Sequence, residues 1–333
     1  MTTTTETLGS FAKAVLDGLA LPQKRIPSKF FYDQDGSELF DRICETKDYY
    51  VTRVETEILR NNAKEIAQYF SESVLLEFGS GVGRKSRILL ENARNLAAYV
   101  PIDISSQVLQ QSSKKLWKDF PQLKIIPLCA DFTRRIEFPK ALEKELALPY
   151  VRRSAFFPGS TIGNFEPAEA AIFLRNVGEL LGEGGRFAVG IDLIKSLRVM
   201  EQAYNDGDGV TAMFNLNLLN RINAELDGNF NLEEFKHEAF FNTDQSRMEM
   251  HLVSLRTQEV RVLGKKFRFK ENETIHTESS YKYTLEGFED LARASGFDVT
   301  DYWMDRKSYF AVFLLEKGIR LLHDAGCVTK KSA

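Results

Sequence analysis

A glycine-rich turn near residue 80 is the part of the sequence whose residue types and spacing most directly suggest chemistry. The apolar run Ser73–Phe78 leads into the pattern Glu-x-Gly-x-Gly-x-Gly at residues 77–83, and residues 84–95 then carry helical spacing. A glycine turn between a strand and a helix lets the backbone approach a nucleotide-like ligand closely, and the helix N-terminus favours negative charge there. We therefore predict a nucleotide-like cofactor at this turn.

Two further elements agree with that prediction. Asp103 lies at the end of the strand-like stretch 98–104, about 20 residues beyond the turn, where a carboxylate accepts hydrogen bonds from ribose hydroxyls. A dinucleotide site would have a third glycine where Arg84 stands, so a nicotinamide oxidoreductase is disfavoured. The pattern instead resembles motif I of class I S-adenosylmethionine-dependent methyltransferases. That resemblance implies S-adenosylmethionine as the cofactor, held by Gly79, Gly81, Lys85, Asp103, Asp131 and Phe132.

The elements that must position these residues alternate between strand and helix. Strands are predicted at Ser73–Phe78, 98–104, 123–129, 154–158 and 186–191, and helices at 84–95, 105–119 and Pro167–Leu181. Such alternation predicts an α/β fold whose mostly parallel sheet is covered on both faces, as in the Rossmann-like class I methyltransferases. Two last strands, 299–304 and 308–315, follow a helix at 285–295 and form an antiparallel hairpin.

The flanking segments predict a second, α+β part that binds the substrate. Residues 1–60 are helical at 37–45, and a helix at 52–70 runs on into the sheet region. Residues 194–280 contain helices at Leu197–Tyr204 and 210–226, and then strands at 238–242, Arg247–Ser254 and Gln258–Val262. We therefore expect a cofactor domain at 61–193 and 281–333, with 1–60 and 194–280 forming the substrate domain.

Composition limits the range of partners. The chain has 333 residues with 44 Lys and Arg against 47 Asp and Glu, a net charge of −3, so no basic surplus indicates nucleic acid or an anionic membrane as a partner. No stretch reaches the ~18–20 apolar residues of a membrane span, and the N-terminus lacks signal-peptide features. The three cysteines form no CxxC pair and the four histidines show no metal spacing. We expect a cytoplasmic monomer without a metal.

Beyond motif I, nearly the whole chain resembles the histidine N-alpha-methyltransferases of ergothioneine biosynthesis, which trimethylate L-histidine to hercynine. The similarity rests on the segments FYDQDGSELF (31–40), YYVTR (49–53), FFPGSTIGN (156–164), GIDLIK (190–195), AYND (203–206), GVTAMFN (209–215), RMEM (247–250) and IHTESS (275–280). Val51 replaces the proline that is usual in the second segment.

The resemblance implies roles for eight side chains in an amino-acid pocket. Asn164 and Tyr204 would hold the α-carboxylate, Tyr32 would lie near the amine, and Asn164 and Tyr32 are the expected catalytic residues. Glu278, Ser280 and Tyr49 would address the imidazole, Met250 and Glu278 would select histidine, and Phe40 completes the set. Successive methylation needs space beside the nitrogen, which we expect Gly163 to leave.

The same residues also allow other interpretations. Tyr32, Tyr49 and Phe40 also suit hydrophobic packing, Glu278 suits a solvated strand edge, and Met250 suits a core. A relative acting on another aromatic amino acid or amine, such as a tryptophan derivative, would share the fold. A methyltransferase of RNA or protein would need a basic docking surface, and an inactive binding module would bind cofactor without turnover.

Overall fold

The elements of the protein are those of a computed structural model, which describes residues 2–81, 83–134, 136, 138, 140 and 152–318. The N-terminal region consists of α1 (Thr2–Leu19), β1 (Lys24–Arg25), α2 (Gln34–Glu45), α3 (Tyr50–Asn61) and α4 (Ala63–Gln68). The region after it consists of β2 (Ser73–Phe78), α5 (Arg84–Leu90), β3 (Ala98–Asp103), α6 (Ser106–Asp119), β4 (Leu128–Cys129), β5 (Arg152–Phe157), α7 (Pro167–Leu181) and β6 (Arg186–Asp192).

The second half of the chain adds a smaller set of strands before returning to the main sheet. It consists of α8 (Leu197–Tyr204), α9 (Val210–Glu225), β7 (Phe235–Asn242), β8 (Arg247–Ser254), β9 (Gln258–Val262), β10 (Lys265–Phe269), β11 (Thr274–Tyr281), α10 (Leu285–Ala294), β12 (Phe297–Met304) and β13 (Phe310–Lys317). Short 3-10 turns at Ser28–Phe31 and Thr161–Asn164 carry residues of the site.

The main sheet has seven strands in the order β12-β13-β6-β5-β2-β3-β4. Strands β2 to β6 pair in parallel, whereas β13 is antiparallel to both β6 and β12. All six residues of β2 are buried, as expected of a parallel strand with both faces covered. From β2 the chain adds β3 and β4 on one side of the sheet and then returns to add β5 and β6 on the other side of β2. Ligands bind at the carboxyl ends of the strands beside such a reversal of direction. The predicted α/β class and its terminal hairpin are confirmed.

A second sheet carries the other half of the site. Its order is β1-β11-β8-β7, with β1 parallel to β11 and the other pairs antiparallel, and β9 and β10 form a separate hairpin. One continuous apolar core joins this sheet and the N-terminal helices to one face of the main sheet, through residues such as Phe31, Leu75, Phe214 and Ile275. The other face of the main sheet buries a second core. The first core therefore fixes the second sheet against the cofactor edge.

Two predicted elements are wrong in detail. The helix predicted at 52–70 is interrupted at Asn62, whose side chain donates to the Ile58 carbonyl at 2.8 Å and competes with the helical backbone bonds. The strand predicted at 123–129 is reduced to Leu128–Cys129 plus one bridge between Tyr99 and Ile125, because Pro127 has no N–H to continue the ladder.

Smaller differences concern element ends. The helix predicted at 84–95 ends at Leu90. The structure also contains α1 and β10, which no pattern in the sequence indicated. The domain division stays a prediction, and residues 319–333 of its last segment lie outside the described residues. None of the helices built from the described residues is both long and apolar enough to cross a bilayer.

Gly190 in β6 tests how tightly the main sheet packs behind the site. A Cβ atom at this position would lie 2.2 Å from Oε1 of the buried Glu55 and 3.0 Å from the Phe310 ring. We expect Gly190→Ala to lower the free energy of unfolding by about 1–3 kcal/mol, as overpacking of a core does. Denaturant unfolding measures the change.

Gly207→Ala is the control, because the nearest atom to its added Cβ would be Asp48 Oδ2 at 3.7 Å. We expect it to change stability by less than ~0.5 kcal/mol. Equal effects of the two substitutions would show that the contact between Glu55 and Gly190 is not tight.

Candidate active site

The glycine turn after β2 adopts the backbone conformation that its sequence predicts. Gly79, Gly81 and Gly83 have φ values of 66°, 49° and 72°, a region that other residues adopt at a cost. At the end of β3, Asp103 accepts a hydrogen bond from the Gly81 N–H at 3.0 Å and another from the Ser105 N–H at 2.9 Å. The structure thus places the predicted ribose-binding carboxylate directly against the turn.

The pair Asp131 and Phe132 lies across the same edge. A Cβ built on Gly79 would be 3.8 Å from the Phe132 ring, so the ring lies against the turn. Although burial opposes its charged form, hydrogen bonds from Lys29 at 2.8 Å and from Thr133 hold the pKa of Asp131 below its usual value. Lys29 comes from the 3-10 turn at Ser28–Phe31, and no motif in the sequence pointed to it.

Lys85, in the first turn of α5, links the glycine turn to the loop after β5. Its ammonium pairs with the fully buried carboxylate of Glu55 on α3. The same carboxylate accepts hydrogen bonds from the Gly159 N–H at 2.9 and 3.0 Å. The predicted role of Lys85 toward the cofactor stays a prediction, and the structure adds Glu55 as its partner.

Glu77, the acidic residue of the glycine motif, is buried beneath the turn. It accepts a hydrogen bond from the Tyr99 hydroxyl at 2.6 Å. Burial raises its pKa to about 7 although that hydrogen bond acts in the opposite direction. Glu77 therefore supports the turn from inside the sheet.

All eight side chains predicted for the amino-acid pocket line one cavity beside this edge. The cavity encloses about 520 Å³ of space, part of it open to solvent. Its lining consists of Tyr32, Phe40, Tyr49, Asn164, Tyr204, Met250, Glu278 and Ser280, together with Ile43, Gly159, Thr161, Ala203, Thr211 and Phe214. The last six were not predicted as binding residues, although most fall within or next to the motif segments.

One wall of the pocket is aromatic. Tyr32 follows the first 3-10 turn, Phe40 lies on α2, and Tyr49 precedes α3. Their rings meet edge to face, with centroids 5.6 Å apart for Tyr32 and Phe40 and 6.4 Å apart for Phe40 and Tyr49. Tyr204 continues the series at 6.3 Å from Tyr49, and Phe214 of α9 packs against Tyr32 at 5.8 Å. These contacts make the wall a rigid apolar surface with hydroxyl groups on it.

The opposite wall is formed by β8 and β11 and depends on a β-bulge. The register between the strands shifts between His276 and Glu278, so Glu278 lies opposite Met250. Thr277 occupies the bulge and its hydroxyl donates to Asn215 Oδ1 at 2.8 Å. Because side chains alternate along a strand, Glu278 and Ser280 then share the face that lines the pocket.

The electrostatics of the pocket centre on Glu278. Burial raises the pKa of its carboxyl to about 7, and the charge of Lys282 acts in the opposite direction. No residue in the described ranges donates a hydrogen bond to this carboxylate. Burial also raises the pKa values of Tyr32 and Tyr49 well above their usual range, so both phenols stay protonated. A charged form of Glu278 therefore takes its hydrogen bonds from water or from a ligand in the pocket.

A hydrogen-bond network closes the end of the pocket next to Ser280. The Tyr204 hydroxyl donates to Ser280 Oγ at 2.8 Å, and the buried Lys282 ammonium donates to both oxygens, at 3.0 and 2.9 Å. Sequence reasoning missed Lys282, although its position directly after the largely buried end of β11 was an available signal.

Gly163 does not leave the space for methyl groups that the sequence suggested. A Cβ at this position would lie 2.7 Å from the backbone oxygen of Tyr281. The glycine thus lets the 3-10 turn that carries Asn164 pack against the end of β11. Its small size is explained by this backbone contact, and not by space for methyl groups.

A histidine cluster lies further along the same sheet. Ligand atoms of Glu249, His251 and His276 lie within 4.8 Å of one another, a grouping that the spacing in the sequence did not indicate. Both oxygens of Glu249 already accept charge-assisted hydrogen bonds, from Arg247 at 2.8 Å and from His251 at 2.8 Å. His276 Nε2–H donates to the Glu278 backbone carbonyl oxygen at 2.9 Å. We infer that these side chains stabilise the β-bulge at Thr277.

Comparisons with known proteins agree with this geometry. A family model described as histidine-specific methyltransferase, SAM-dependent, matches residues 11–317. The histidine N-alpha-methyltransferase of Mycolicibacterium smegmatis is 36% identical over 303 residues, which cover 89% of this chain and 92% of that protein. The corresponding protein of Mycobacterium tuberculosis is 35% identical over 309 residues, covering 91% and 94%.

More distant matches extend the comparison. Ergothioneine biosynthesis protein 1 of Neurospora crassa is 27% identical over 306 residues, which cover 86% of this chain and 32% of the longer fungal protein. Among solved structures, an S-adenosylmethionine-dependent methyltransferase from Clostridium acetobutylicum matches with a TM-score of 0.44 and 12% identity, covering 80% of this chain and 91% of that chain.

Asp103 provides a test of the cofactor edge. Asp103→Ala removes the carboxylate beside the glycine turn. We therefore expect S-adenosylhomocysteine to bind more weakly, with a loss of about 1.5–3 kcal/mol in binding free energy. Isothermal titration calorimetry measures it. Asp290→Ala, an exposed acidic residue on α10, is the control and should leave binding unchanged. An unchanged constant for Asp103→Ala would contradict the placement of the ribose.

The pKa of Glu278 gives a second test, on stability. The carboxyl has a pKa of 4.5 when unperturbed and about 7 in the folded protein, so the folded state disfavours the charged form. This charge therefore destabilises the folded state. The destabilisation is absent below pH ~4.5, increases between pH ~4.5 and ~7, and reaches its full size above pH ~7. We expect Glu278→Gln to raise the free energy of unfolding at pH 8 by about 1–3 kcal/mol and to leave it unchanged near pH 4.5.

Denaturant unfolding at both pH values measures this effect, with Glu271→Gln as an exposed control. A gain that is equal at both pH values would show that Glu278 is not the titrating group.

Proposed function

The chain belongs to the family of histidine-specific, S-adenosylmethionine-dependent methyltransferases, and from this premise we propose that it trimethylates the α-amino group of L-histidine to give hercynine. The observation that carries the proposal is the half-buried carboxylate of Glu278, which lines the amino-acid pocket without a hydrogen-bond donor among the described residues. An imidazole N–H is a donor of the right kind, and in protonated form it also supplies a matching charge.

The cofactor edge suits S-adenosylmethionine in its residue types and conformation. Three glycines with positive φ leave the turn open to a close backbone approach, and Asp103 lies at the end of the neighbouring strand. Asp103 would hold the ribose hydroxyls, with Phe132 beside the adenine and Gly79, Gly81, Lys85 and Asp131 completing the site. When bound, the cofactor supplies an electrophilic methyl group on a sulfonium.

The work of the protein is then to orient and desolvate the substrate amine. The α-amino group of a free amino acid has a pKa of about 8 to 9, so a fraction of it is unprotonated at neutral pH and no strong base is required. Asn164 and Tyr204 would hold the carboxylate, and Tyr32 would accept a hydrogen bond from the amine or donate to it. Because the pKa of Tyr32 is raised well above 10, this phenol acts as a hydrogen-bonding group and not as a phenolate base.

Selectivity for histidine follows from the opposite wall. Met250 and Glu278 face each other across the register of β8 and β11, so an apolar and a charged side chain limit the same end of the pocket. A substrate without a ring N–H in reach displaces water from the Glu278 carboxylate and leaves it without a donor, which costs more than the loss of an apolar contact. The histidine-specific family model also favours histidine over a tryptophan derivative.

We further propose a role in ergothioneine biosynthesis, which the name of the fungal relative states for that protein, and a monomer that acts on a small molecule without nucleic acid. The proposal of a small-molecule substrate without nucleic acid is supported by the small pocket and by the net charge of −3. The described residues contain no membrane-spanning helix, which agrees with action on a soluble amino acid.

The proposal is tested by product analysis. The pure protein is incubated with S-adenosylmethionine and the twenty amino acids, and small molecules are identified by mass spectrometry, with a reaction lacking the cofactor as control. We expect a histidine species heavier by three CH₂ units and carrying them on the α-nitrogen. Methylation of tryptophan in place of histidine would keep the fold and cofactor and refute the proposed pocket specificity.

A further inference from the structure

A buried carboxylate on α3 joins the glycine turn to the loop after β5. Glu55 is fully buried and pairs with the ammonium of Lys85, which lies in the first turn of α5. Its two oxygens also accept hydrogen bonds from the Gly159 N–H, at 3.0 and 2.9 Å. Gly159 lines the amino-acid pocket, whereas Lys85 follows the glycine turn of the cofactor edge. Glu55 therefore connects the two sites.

Two glycines provide the space in which this carboxylate lies. Gly190 belongs to β6, and a Cβ atom there would lie 2.2 Å from Glu55 Oε1. Gly159 has a φ of 82°, a conformation that other residues adopt at a cost, and its N–H is directed at the carboxylate. Both glycines belong to segments that carry the family resemblance, and their place in the amino-acid pocket does not explain them. The contact with Glu55 does.

The Lys85 ammonium has hydrogen-bonding capacity that Glu55 does not use. An ammonium has three N–H groups. In the part of the chain that the structure describes, Glu55 is the one side chain that accepts a hydrogen bond from Lys85. The Lys85 side chain is 15% exposed, so its other two N–H groups have limited access to water. They are available to an anionic group of a ligand bound at the glycine turn.

The cofactor has one group that suits these two N–H groups. Its adenosine part is neutral and is proposed to lie at Asp103 and Phe132, and the rest of the molecule is an amino acid with a carboxylate. Lys85 Nζ lies on the pocket side of the turn, 3.6 Å from where a Cβ on Gly159 would be. The carboxylate is the one anionic group of the cofactor, and it is therefore the match for the ammonium.

We propose that Glu55 is a positioning residue that acts through Lys85, holding the ammonium where it binds the carboxylate of the cofactor's amino-acid part. The inference rests on the cofactor site of the proposed function and adds the residue that places one of its groups. Glu55 itself is fully buried, and its oxygens are used by Lys85 and by the Gly159 N–H. Through the same contacts it ties the loop of the amino-acid pocket to the lysine.

Two ligands separate the amino-acid part of the cofactor from the rest. S-adenosylhomocysteine contains the carboxylate, whereas 5′-methylthioadenosine has the same adenosine and a thioether but no amino-acid part. Glu55→Gln replaces one oxygen by an amide NH₂, which places a donor against the donors of Lys85 or Gly159. Calorimetric titration should show a dissociation constant raised about tenfold or more for S-adenosylhomocysteine and changed by less than about threefold for 5′-methylthioadenosine.

The residue before Lys85 provides a matched control. Arg84 pairs with Glu45 of α2 at 3.1 Å, but these side chains are 54% and 65% exposed. Glu45→Gln should leave both dissociation constants unchanged, because an exposed ion pair contributes little. Unchanged or tighter binding of S-adenosylhomocysteine by Glu55→Gln would show that the carboxylate merely neutralises the lysine, and the inference would be overturned. Equal losses of affinity for the two ligands would refute it as well, since they would indicate a general disturbance of the site.

A double variant tests whether Glu55 acts through Lys85. Glu55→Gln combined with Lys85→Met should bind S-adenosylhomocysteine no more weakly than Lys85→Met alone, because the side chain at position 55 then has no ammonium to position. Losses of affinity that multiply would show that Glu55 affects the cofactor independently of the lysine and would contradict the inference. If Lys85→Met does not fold, the comparison of the two ligands in Glu55→Gln decides the question.

Failure of the proposed function is distinguishable from these outcomes, because no measurement above uses L-histidine. A protein that binds S-adenosylhomocysteine but does not methylate histidine would refute the proposed function and leave these measurements valid. If Glu55→Gln does not fold, Glu55→Asp replaces it. The aspartate keeps the charge but is one CH₂ group shorter, so we expect a smaller loss of affinity, confined to S-adenosylhomocysteine. Unaltered affinity in that variant would overturn the inference.

Discussion

The buried carboxylate of Asp192 is the point on which the geometry of the site depends. It ends the central strand β6 and holds groups from three distant parts of the chain: Tyr50 of the N-terminal helices, Lys195 just after β6, and Lys282 just after β11. Its own backbone N–H donates to Ser160 Oγ at 2.9 Å, which fixes the loop that leads to Asn164. Because this fully buried carboxylate pairs with two ammonium groups, its position is strongly constrained.

From this carboxylate outward, each constraint places a group of the pocket. Lys282 holds Tyr204 and Ser280, and the bulge at Thr277 brings Glu278 onto the same strand face. On the other side, Glu55 joins Lys85 near the glycine turn to the Gly159 backbone. The cofactor edge and the amino-acid pocket are thus connected by buried ion pairs, which suits a reaction whose main requirement is the alignment of two reactants.

The parts of this account that the sequence predicts are those with local signals. The glycine turn, the strands around it and Asp103 follow from composition and period over a few residues, and the order of elements is enough to indicate the α/β class. The pocket residues came from resemblance of long motifs, and the structure brings all of them together. Pro127, which shortens the third strand, was visible in the sequence and was given too little weight.

Long-range pairings were not predictable, because each one depends on two segments that are far apart in the sequence. Lys29 meets Asp131 across 102 positions, and Lys195 meets Tyr50 across 145. A lysine in an apolar stretch indicates that its side chain is buried against an acidic partner, but the sequence does not identify which residue that partner is. The bulge at Thr277 likewise depends on the register with β8, which a single strand does not encode.

The central claim is that this pocket holds histidine by its two ends, with the imidazole at Glu278 and Ser280 and the carboxylate at Asn164 and Tyr204. A crystal structure of the protein with S-adenosylhomocysteine and L-histidine tests it most directly. The account predicts an imidazole nitrogen within hydrogen-bonding distance of the Glu278 carboxylate, directly or through one water, and the α-amine directed toward the cofactor sulfur. Histidine bound in the reverse orientation, or with no contact to Glu278, would contradict it.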